Sequence, residues 1–451
     1  MSKIQPNFPF PQRNKYRVPP MLPSDKTQEQ LEDKILSLFR HFLVNELIID
    51  INSPPNKDEF RLIFRHYQSW AIDEDGLDVS HLTVSESHGY GMMILVYMAG
   101  SEAKLGLEPK QWIYGCESLK DYYDAMLRTV MAFPSVINNP DISDDENKLF
   151  AWELKGYPRD GANQTGYIEK DGFKFAPFTR LETSSCATDG DMDIIYSLLL
   201  ADKQWGSDGA YNYKAYALEM LKCFWKYCVH QKYHTLLLGD WAHARKDETG
   251  DATRPSDFIL SHLKVYAEAD PSHDWQLVID ATYHVMNDIR TAENEQGNIT
   301  GMLPDFVIRG ENKWEVPKGN VLEGDTDKDF AFNACRVPWR QATDYLLYGN
   351  TKFVDKTMLD DIIIPLDNHA KNIGNLDNFG PFQMDGSLTD IEDSHLFTPP
   401  FLLTACARAN DQEWVNRLWD WHGFDEYQGD CYADYIKFLV MLTASGNYWL
   451  P

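Results

Sequence analysis

Three carboxylates fall within five residues at Asp189, Asp191 and Asp193, in the stretch Ala187-Thr188-Asp189-Gly190-Asp191-Met192-Asp193, directly before an apolar run over 194–201. Acids so placed admit several chemistries. Thr188 or Asp189 can cap the helix that follows by accepting its free N–H groups, and acids in a first turn suit the positive end of the helix dipole. A calcium loop of the EF-hand kind is excluded by spacing, because counting from Asp189 its glycine position holds Ile194 and its bidentate glutamate position holds Leu200. The remaining reading is a carboxylate held at a helix N-terminus beside a reacting sugar. Two further acidic sites precede apolar helical patterns: Glu86, and the loop carrying Glu323, Asp325, Asp327 and Asp329. Taken alone, Glu86 reads as an acid near the cap of a buried helix and Glu323 as a solvated loop charge.

The elements that must position these acids are helical. Apolar residues at helical spacing mark segments over 28–47, 89–98, 116–133, 190–202, 212–230, 255–268, 275–289, 334–348, 352–371, 395–409, 413–421 and 431–444. Twelve segments in six consecutive hairpins predict an all-α (α/α)6 barrel, two concentric rings of helices with long loops forming a cleft. The loops over 134–183 and 297–332 are the longest, and binding residues concentrate in loops. The proline-rich stretch 1–26 predicts an extended arm, and the lack of a composition break predicts one domain over 27–451.

Composition narrows the partners. The 451-residue chain has a formal net charge of −27, which opposes binding to nucleic acid. Aromatic residues make up 13% of the chain, enough to supply flat rings for stacking on sugars as well as core. Seven scattered cysteines without a CxxC pair argue against a disulfide framework or a zinc site. There is no HExxH motif, and neither a metal nor another cofactor is expected. No apolar run has transmembrane length, so no membrane partner is expected, and the chain is expected to be a monomer. The compartment stays open, with secretion or the periplasm favoured if a leader has been removed.

At these residues the sequence resembles glycoside hydrolase family 8. The 187–193 stretch followed by Leu198-Leu199-Leu200-Ala201-Asp202-Lys203-Gln204-Trp205-Gly206 is similar to that family's signature. Ser85-Glu86-Ser87-His88-Gly89-Tyr90-Gly91-Met92-Met93 resembles the segment carrying its catalytic acid, with Ser87 where a glycine is common. Leu238-Gly239-Asp240-Trp241, Thr253-Arg254-Pro255-Ser256-Asp257 and Asn333-Ala334-Cys335-Arg336-Val337-Pro338-Trp339-Arg340 extend the likeness. One subgroup carries an aspartate base at the position of Asn333. A second, of chitosanases and β-glucanases, has asparagine there and a glutamate base in the preceding loop, and Leu322-Glu323 matches that pattern.

The resemblance implies an (α/α)6 barrel and inverting hydrolysis of β-1,4-linked glycans. Inversion needs a protonated acid and an ionised base roughly 6.5–9.5 Å apart, with a water between base and sugar. Glu86 is then the acid, Glu323 the base, and Asp189 the group that grips the sugar at the reacting subsite. Trp152 is the expected stacking residue, with Tyr90, Trp241 and Trp339 as further candidates. Arg254, Asp257, Asn333 and Arg336 are expected to bind hydroxyls or orient the carboxylates. Asp191 and Asp193 read as structural. The substrate is a polysaccharide or oligosaccharide, with glucan and chitosan ahead of xylan. A glycan-binding protein that has lost its base at Asn333 is the reading from a different class.

Overall fold

Helix α2 (Ser85–Tyr97) is buried on every side except at Glu86, and the barrel is assembled around it. The computed structural model describes residues 5–65, 70–72, 78–136, 147–158, 167–176, 178–182, 184–425 and 427–451. The other long helices are α1 (Gln28–Asn45), α3 (Leu119–Ala132), α4 (Thr188–Trp205), α5 (Tyr213–Tyr227), α6 (Leu260–Ala269) and α7 (Trp275–Gln296). They continue with α8 (Val337–Tyr348), α9 (Ile364–Ile373), α10 (Ser394–Arg408), α11 (Gln412–Trp419) and α12 (Cys431–Ala444). The even-numbered helices pack in chain order into an inner ring, which closes where α12 meets α2. The odd-numbered helices lie outside it: α1 on α12, α3 on α2, α5 on α4, α7 on α6, and α9 and α11 on α10. This is the (α/α)6 barrel.

Capping explains where several helices begin. Thr27 and Gln30 form a reciprocal capping box on α1, as Ser118 and Asp121 do on α3, while Asp393 and Asp430 cap α10 and α12. The extended segment before α1 follows the far end of the inner ring. Its N–H groups at Asn7, Phe10, Asn14, Val18 and Met21 donate to the carbonyls of Gln204, Ala99, Gly446, Leu346 and Cys406 at 2.7–3.0 Å. Those acceptors lie at the C-terminal ends of five inner helices, where carbonyls lack partners within the helix. The inner helices therefore run parallel, with their N-termini together at the opposite end.

The connections between the helices depart from the sequence expectation in several places. The stretch 134–183 holds strands β5 (Glu153–Pro158), β6 (Ile168–Lys170), β7 (Phe173–Ala176) and β8 (Phe178–Glu182). They join β1 (Leu47–Asp50), β2 (Leu62–Phe64), β3 (Trp70–Ile72) and β4 (Asp78–Val84) in two four-stranded sheets, ordered β2-β1-β7-β6 and β3-β4-β5-β8. Within that stretch residues 137–146, 159–166, 177 and 183, like residues 1–4 of the arm, lie outside the described residues. The segment expected as one helix over 352–371 instead opens with a hairpin, β9 (Lys352–Phe353) and β10 (Lys356–Thr357), and only then turns through Leu359–Ile363 into α9. Pro255 likewise starts a short 3-10 turn, Pro255–Asp257, ahead of α6.

The tightest helix contact joins α2 to α4, and glycines permit it. A Cβ on Gly89 would stand 2.8 Å from the Cβ of Asp193, and one on Gly190 would stand 2.1 Å from Ser85 Oγ and 2.5 Å from the Ser85 carbonyl carbon. Ser87 leaves the backbone of α2 helical throughout. Alanine is favoured over glycine in a helix by about 1 kcal/mol. Overlap with backbone outweighs that gain at Gly190, so Gly190→Ala is expected to lower stability by about 1–3 kcal/mol. Urea unfolding measures it, and a midpoint equal to wild type would show that α2 and α4 can part without cost.

Candidate active site

At the N-terminal end of the inner ring lies a cavity of about 620 Å³ whose lining includes Glu86, Trp152, Asp189, Trp241, Arg245, Arg254, Leu322, Glu323 and Asn333. Glu86 sits in the first turn of α2 and Asp189 in the first turn of α4. Strand β4 runs straight into α2, and its antiparallel neighbour β5 pairs Glu153 with Val84. The Ser85 N–H donates to the Trp152 carbonyl at 2.7 Å, and the Trp152 N–H donates to Ser185 at 2.7 Å. Trp152, 39% exposed, is thereby held beside both acids.

Neither Thr188 nor Asp189 occupies the cap position of α4, although Asp189 Oδ1 accepts the first-turn N–H of Gly190 at 2.9 Å. The cap position is Ala187, which offers no side-chain acceptor. Thr188 Oγ1 donates to the Leu237 carbonyl instead. Asp189 is held by arginine, because Arg336 Nη1 donates to its Oδ2 at 2.5 Å and Arg254 Nη1 stands 3.6 Å from the same oxygen. Arg336 Nη1 also binds Glu86 Oε1, which accepts the Tyr90 hydroxyl at 2.6 Å. The other arm of the guanidinium, Nη2, donates to Ser256 Oγ at 2.8 Å and Asn333 Oδ1 at 3.0 Å.

Asn333 carries the connection across the cavity. Its Nδ2 donates to Glu323 Oε2 at 2.8 Å, and Arg254 Nη2 donates to Glu323 Oε1 at 3.1 Å. Of the four acids in the 323–329 loop, Glu323 is the one among the lining residues. Asp325 points to solvent, Asp329 is buried, and Asp327 is 1% exposed with its carboxylate turned onto backbone N–H groups.

The two acids on Arg336 are driven in opposite directions. Burial pushes the Glu86 carboxyl above its ordinary range, against the pull of Arg336 and with the charge of Asp189 adding to the rise. Burial acts upward on Asp189 as well, but Arg336 and Arg254 outweigh it and hold that carboxyl below its ordinary range. One carboxyl that favours its proton thus stands beside one that sheds it.

Burial corrects the substrate contacts expected at Tyr90 and Trp339; of the two roles expected for Asp257 and Arg336 it removes the binding of hydroxyls, while Arg336 does orient carboxylates. Tyr90, Asp257, Arg336 and Trp339 are at most 1% exposed and stand behind the lining. Arg336 and Tyr90 hold carboxylates. Trp339 packs on Tyr90 with ring centroids 5.7 Å apart and under the Arg340 guanidinium at 3.9 Å. Asp257 accepts from Ser256 Oγ at 3.3 Å, and burial together with the charge of Asp189 pushes its carboxyl up to about 7. The other two acids of the 189–193 run are interior. Asp193 is clamped by Arg340 at 2.6 Å and His262 at 3.0 Å, and Asp191 accepts the Phe150 N–H at 2.8 Å. Sequence reasoning overlooked Arg245, whose guanidinium stands 5.5 Å from the Trp241 ring at the cavity wall, and Ser256. All seven cysteines are buried thiols.

This arrangement has counterparts among known proteins. The model for glycosyl hydrolases family 8 matches residues 177–370, a span that holds Asp189, Arg254, Glu323 and Arg336. A beta-glucanase of Niallia circulans is 32% identical over 446 residues, covering 98% of this chain and 92% of the relative. An endoglucanase of Bacillus sp. (strain KSM-330) is 29% identical over 444 residues, covering 98% and 82%. The apo structure of a beta-1,3-1,4-glucanase from Paenibacillus sp. X4 superposes with a TM-score of 0.78 at 30% identity, over 99% of this chain and 100% of that one.

The geometry makes Arg336 the group on which the charge balance rests. Removing one partner of a buried ion pair costs about 3–5 kcal/mol, because the other charge is left uncompensated. In the wild type the depressed Asp189 carboxyl contributes stability that is full above about pH 3.9, the unfolded value, and is lost as pH falls through its lower folded value. Arg336→Met turns that contribution into a penalty at neutral pH which protonation relieves. Its stability deficit is therefore expected to be larger at pH 7 than at pH 4, and equal deficits would assign the loss to packing instead.

Proposed function

Because the chain belongs to glycosyl hydrolases family 8 and so hydrolyses glycosidic bonds, we propose that it is an endo-acting, inverting β-glucanase cleaving β-1,4 linkages in plain or mixed-linkage glucan. The observation that carries this is the meeting of Glu86, Asp189 and Glu323 on one cavity that Trp152 and Trp241 also line. Glu86 is the general acid. Both of its hydrogen bonds fall on Oε1, leaving Oε2 to carry the proton to the leaving oxygen. Glu323 is the general base, and a water on it attacks the anomeric carbon from the face opposite the leaving group. Asp189, kept ionised by two arginines, holds the sugar as positive charge develops at that carbon. Trp152 and Trp241 offer flat faces to pyranose rings. The relatives' names favour glucan.

Reducing-sugar release from mixed-linkage glucan, carboxymethyl cellulose, chitosan and xylan, measured side by side, tests the substrate. Release from the glucans is expected to lead, with the α-anomer formed first by NMR. Release from chitosan or xylan ahead of glucan would overturn the substrate, and a β-anomer formed first would overturn inversion. Release from none of them would leave a glycan-binding protein.

The roles of the two acids are separable. Glu86→Gln is expected to lower kcat on unactivated glucan by about 10²–10⁴-fold. Glu323→Ala is expected to be equally damaged, but azide should restore consumption of substrate and yield an α-glycosyl azide. Retention of more than about a tenth of activity in either variant would reassign that role.

Tyr90 supplies a pH test. Its hydroxyl donates to Glu86 and so favours the charged carboxylate. Tyr90→Phe therefore raises the Glu86 pKa further. Since Glu86 acts in its protonated form, the alkaline limb of kcat/KM is expected to move to higher pH. An unmoved limb would place the titrating acid elsewhere.

A further inference from the structure

Glu323 is 47% exposed and lies in a stretch without helix or strand, so neither packing of its side chain nor a regular element fixes it. What fixes its backbone is Asp327. Its Oδ2 accepts the N–H groups of Val321, Leu322 and Glu323 at 2.8, 2.8 and 3.1 Å, and its Oδ1 accepts that of Gly324 at 3.0 Å. Four successive amides thus converge on one buried carboxylate, an internal version of the backbone cradle that proteins use for bound anions. We propose that Asp327 is a positioning residue for catalysis, setting where the Glu323 carboxylate stands; this rests on the reading of Glu323 as the base.

The clamp is itself anchored. The Phe306 N–H donates to the Asp327 carbonyl at 2.9 Å, and the neighbouring Asp305 N–H donates to the Asp329 carbonyl at 2.8 Å. Asp305 in turn gathers the N–H groups of Ala331, Asn333 and Ala334 on its Oδ1 at 3.1, 3.1 and 2.6 Å. The turn that carries Glu323 and the turn that carries its partner Asn333 are therefore each hung on a buried aspartate, and both hang from the 305–306 segment. The 2.8 Å bond between Asn333 and Glu323 joins the two turns.

A misplacement of about 1 Å in a catalytic group can cost 10²-fold in rate. Asp327→Asn keeps the size of the side chain but turns one acceptor into a donor facing the converged amides. It is expected to lower kcat on mixed-linkage glucan by about 10²-fold with KM within about threefold of wild type. Asp327→Glu keeps the anion, and with it a better chance of folding, but shifts the turn by a methylene. It is expected to show the same split to a smaller degree.

The deciding measurement uses azide. In a Glu323→Ala background azide replaces the work of the base, so adding Asp327→Asn is expected to leave azide-supported turnover within about twofold. A merely structural role would cut turnover in both backgrounds. Loss of azide-supported turnover in the double variant, or a folded Asp327→Asn or Asp327→Glu with wild-type kcat, would overturn the proposal. Full activity in Glu323→Ala alone would instead overturn the assignment of the base.

Discussion

One buried guanidinium serves two carboxyl groups, and the rest of the site depends on that imbalance. Arg336 places the same nitrogen, Nη1, against Glu86 and Asp189. A single positive charge in a poorly solvated place can compensate one anion well and two badly, for the same reason that two adjacent carboxylates share a proton. Arg254 breaks the tie by standing 3.6 Å from Asp189. Asp189 therefore takes the charge, and its charge then adds to the burial that keeps the proton on Glu86. The difference in proton affinity between the two acids comes from arginine placement, since both occupy the same kind of position, the first turn of an inner helix.

The barrel supplies the precision this requires. Parallel inner helices bring several N-termini to one end, where partial positive charge favours acids. At the other end the extended segment before α1 uses the spare carbonyls of the ring. Gly89 and Gly190 let α2 and α4 approach until side chains on one would meet backbone of the other, which fixes Glu86 relative to Asp189 without any loop between them. Strands β4 and β5 then tie Trp152 to the same helix start. One wall of the cavity is thus built from helices and sheet, whose geometry is stiff. The wall that carries Glu323 is built from loop.

That division explains what could be read from the sequence. Helices with an apolar stripe, such as α1, stand out because burial repeats at the helical period, the 89–98 part of α2 because it is apolar all round, and the hairpin count gave the ring. The strands of the 134–183 stretch were missed because they are short and alternate weakly. The hairpin ahead of α9 was missed because its strands are two residues each and Phe353 and Val354 extend the apolar spacing of the helical pattern that follows. At the site, the motifs located Glu86, Asp189, Trp152 and Glu323, all of which line the cavity. They could not say which polar residues stand behind it, because Tyr90, Asp257, Arg336 and Trp339 differ from contact residues only in depth. The cap expected at Thr188 or Asp189 is realised only in part for a related reason: Asp189 Oδ1 takes the Gly190 N–H, while tertiary partners, the Leu237 carbonyl and Arg336, claim the Thr188 hydroxyl and the other Asp189 oxygen.

Asn333 is the residue at which sequence reasoning divided, since an amide where a carboxylate base can stand suggests a lost function. Its contacts argue otherwise. Oδ1 accepts from Arg336 and Nδ2 donates to Glu323, which only one orientation of the amide allows, because the arginine can only donate and the carboxylate can only accept. An aspartate there would still satisfy Arg336 but would face Glu323 with a like charge. An apolar residue would release both. Asparagine is therefore suited to a site whose proposed base, Glu323, lies ten residues upstream, because it carries a hydrogen-bonded link from the Arg336 cluster on the stiff wall to the carboxylate on the loop wall. The amide at this position thus fits the proposal that Glu323 is the base, since it links that carboxylate to the arginine that also holds Glu86.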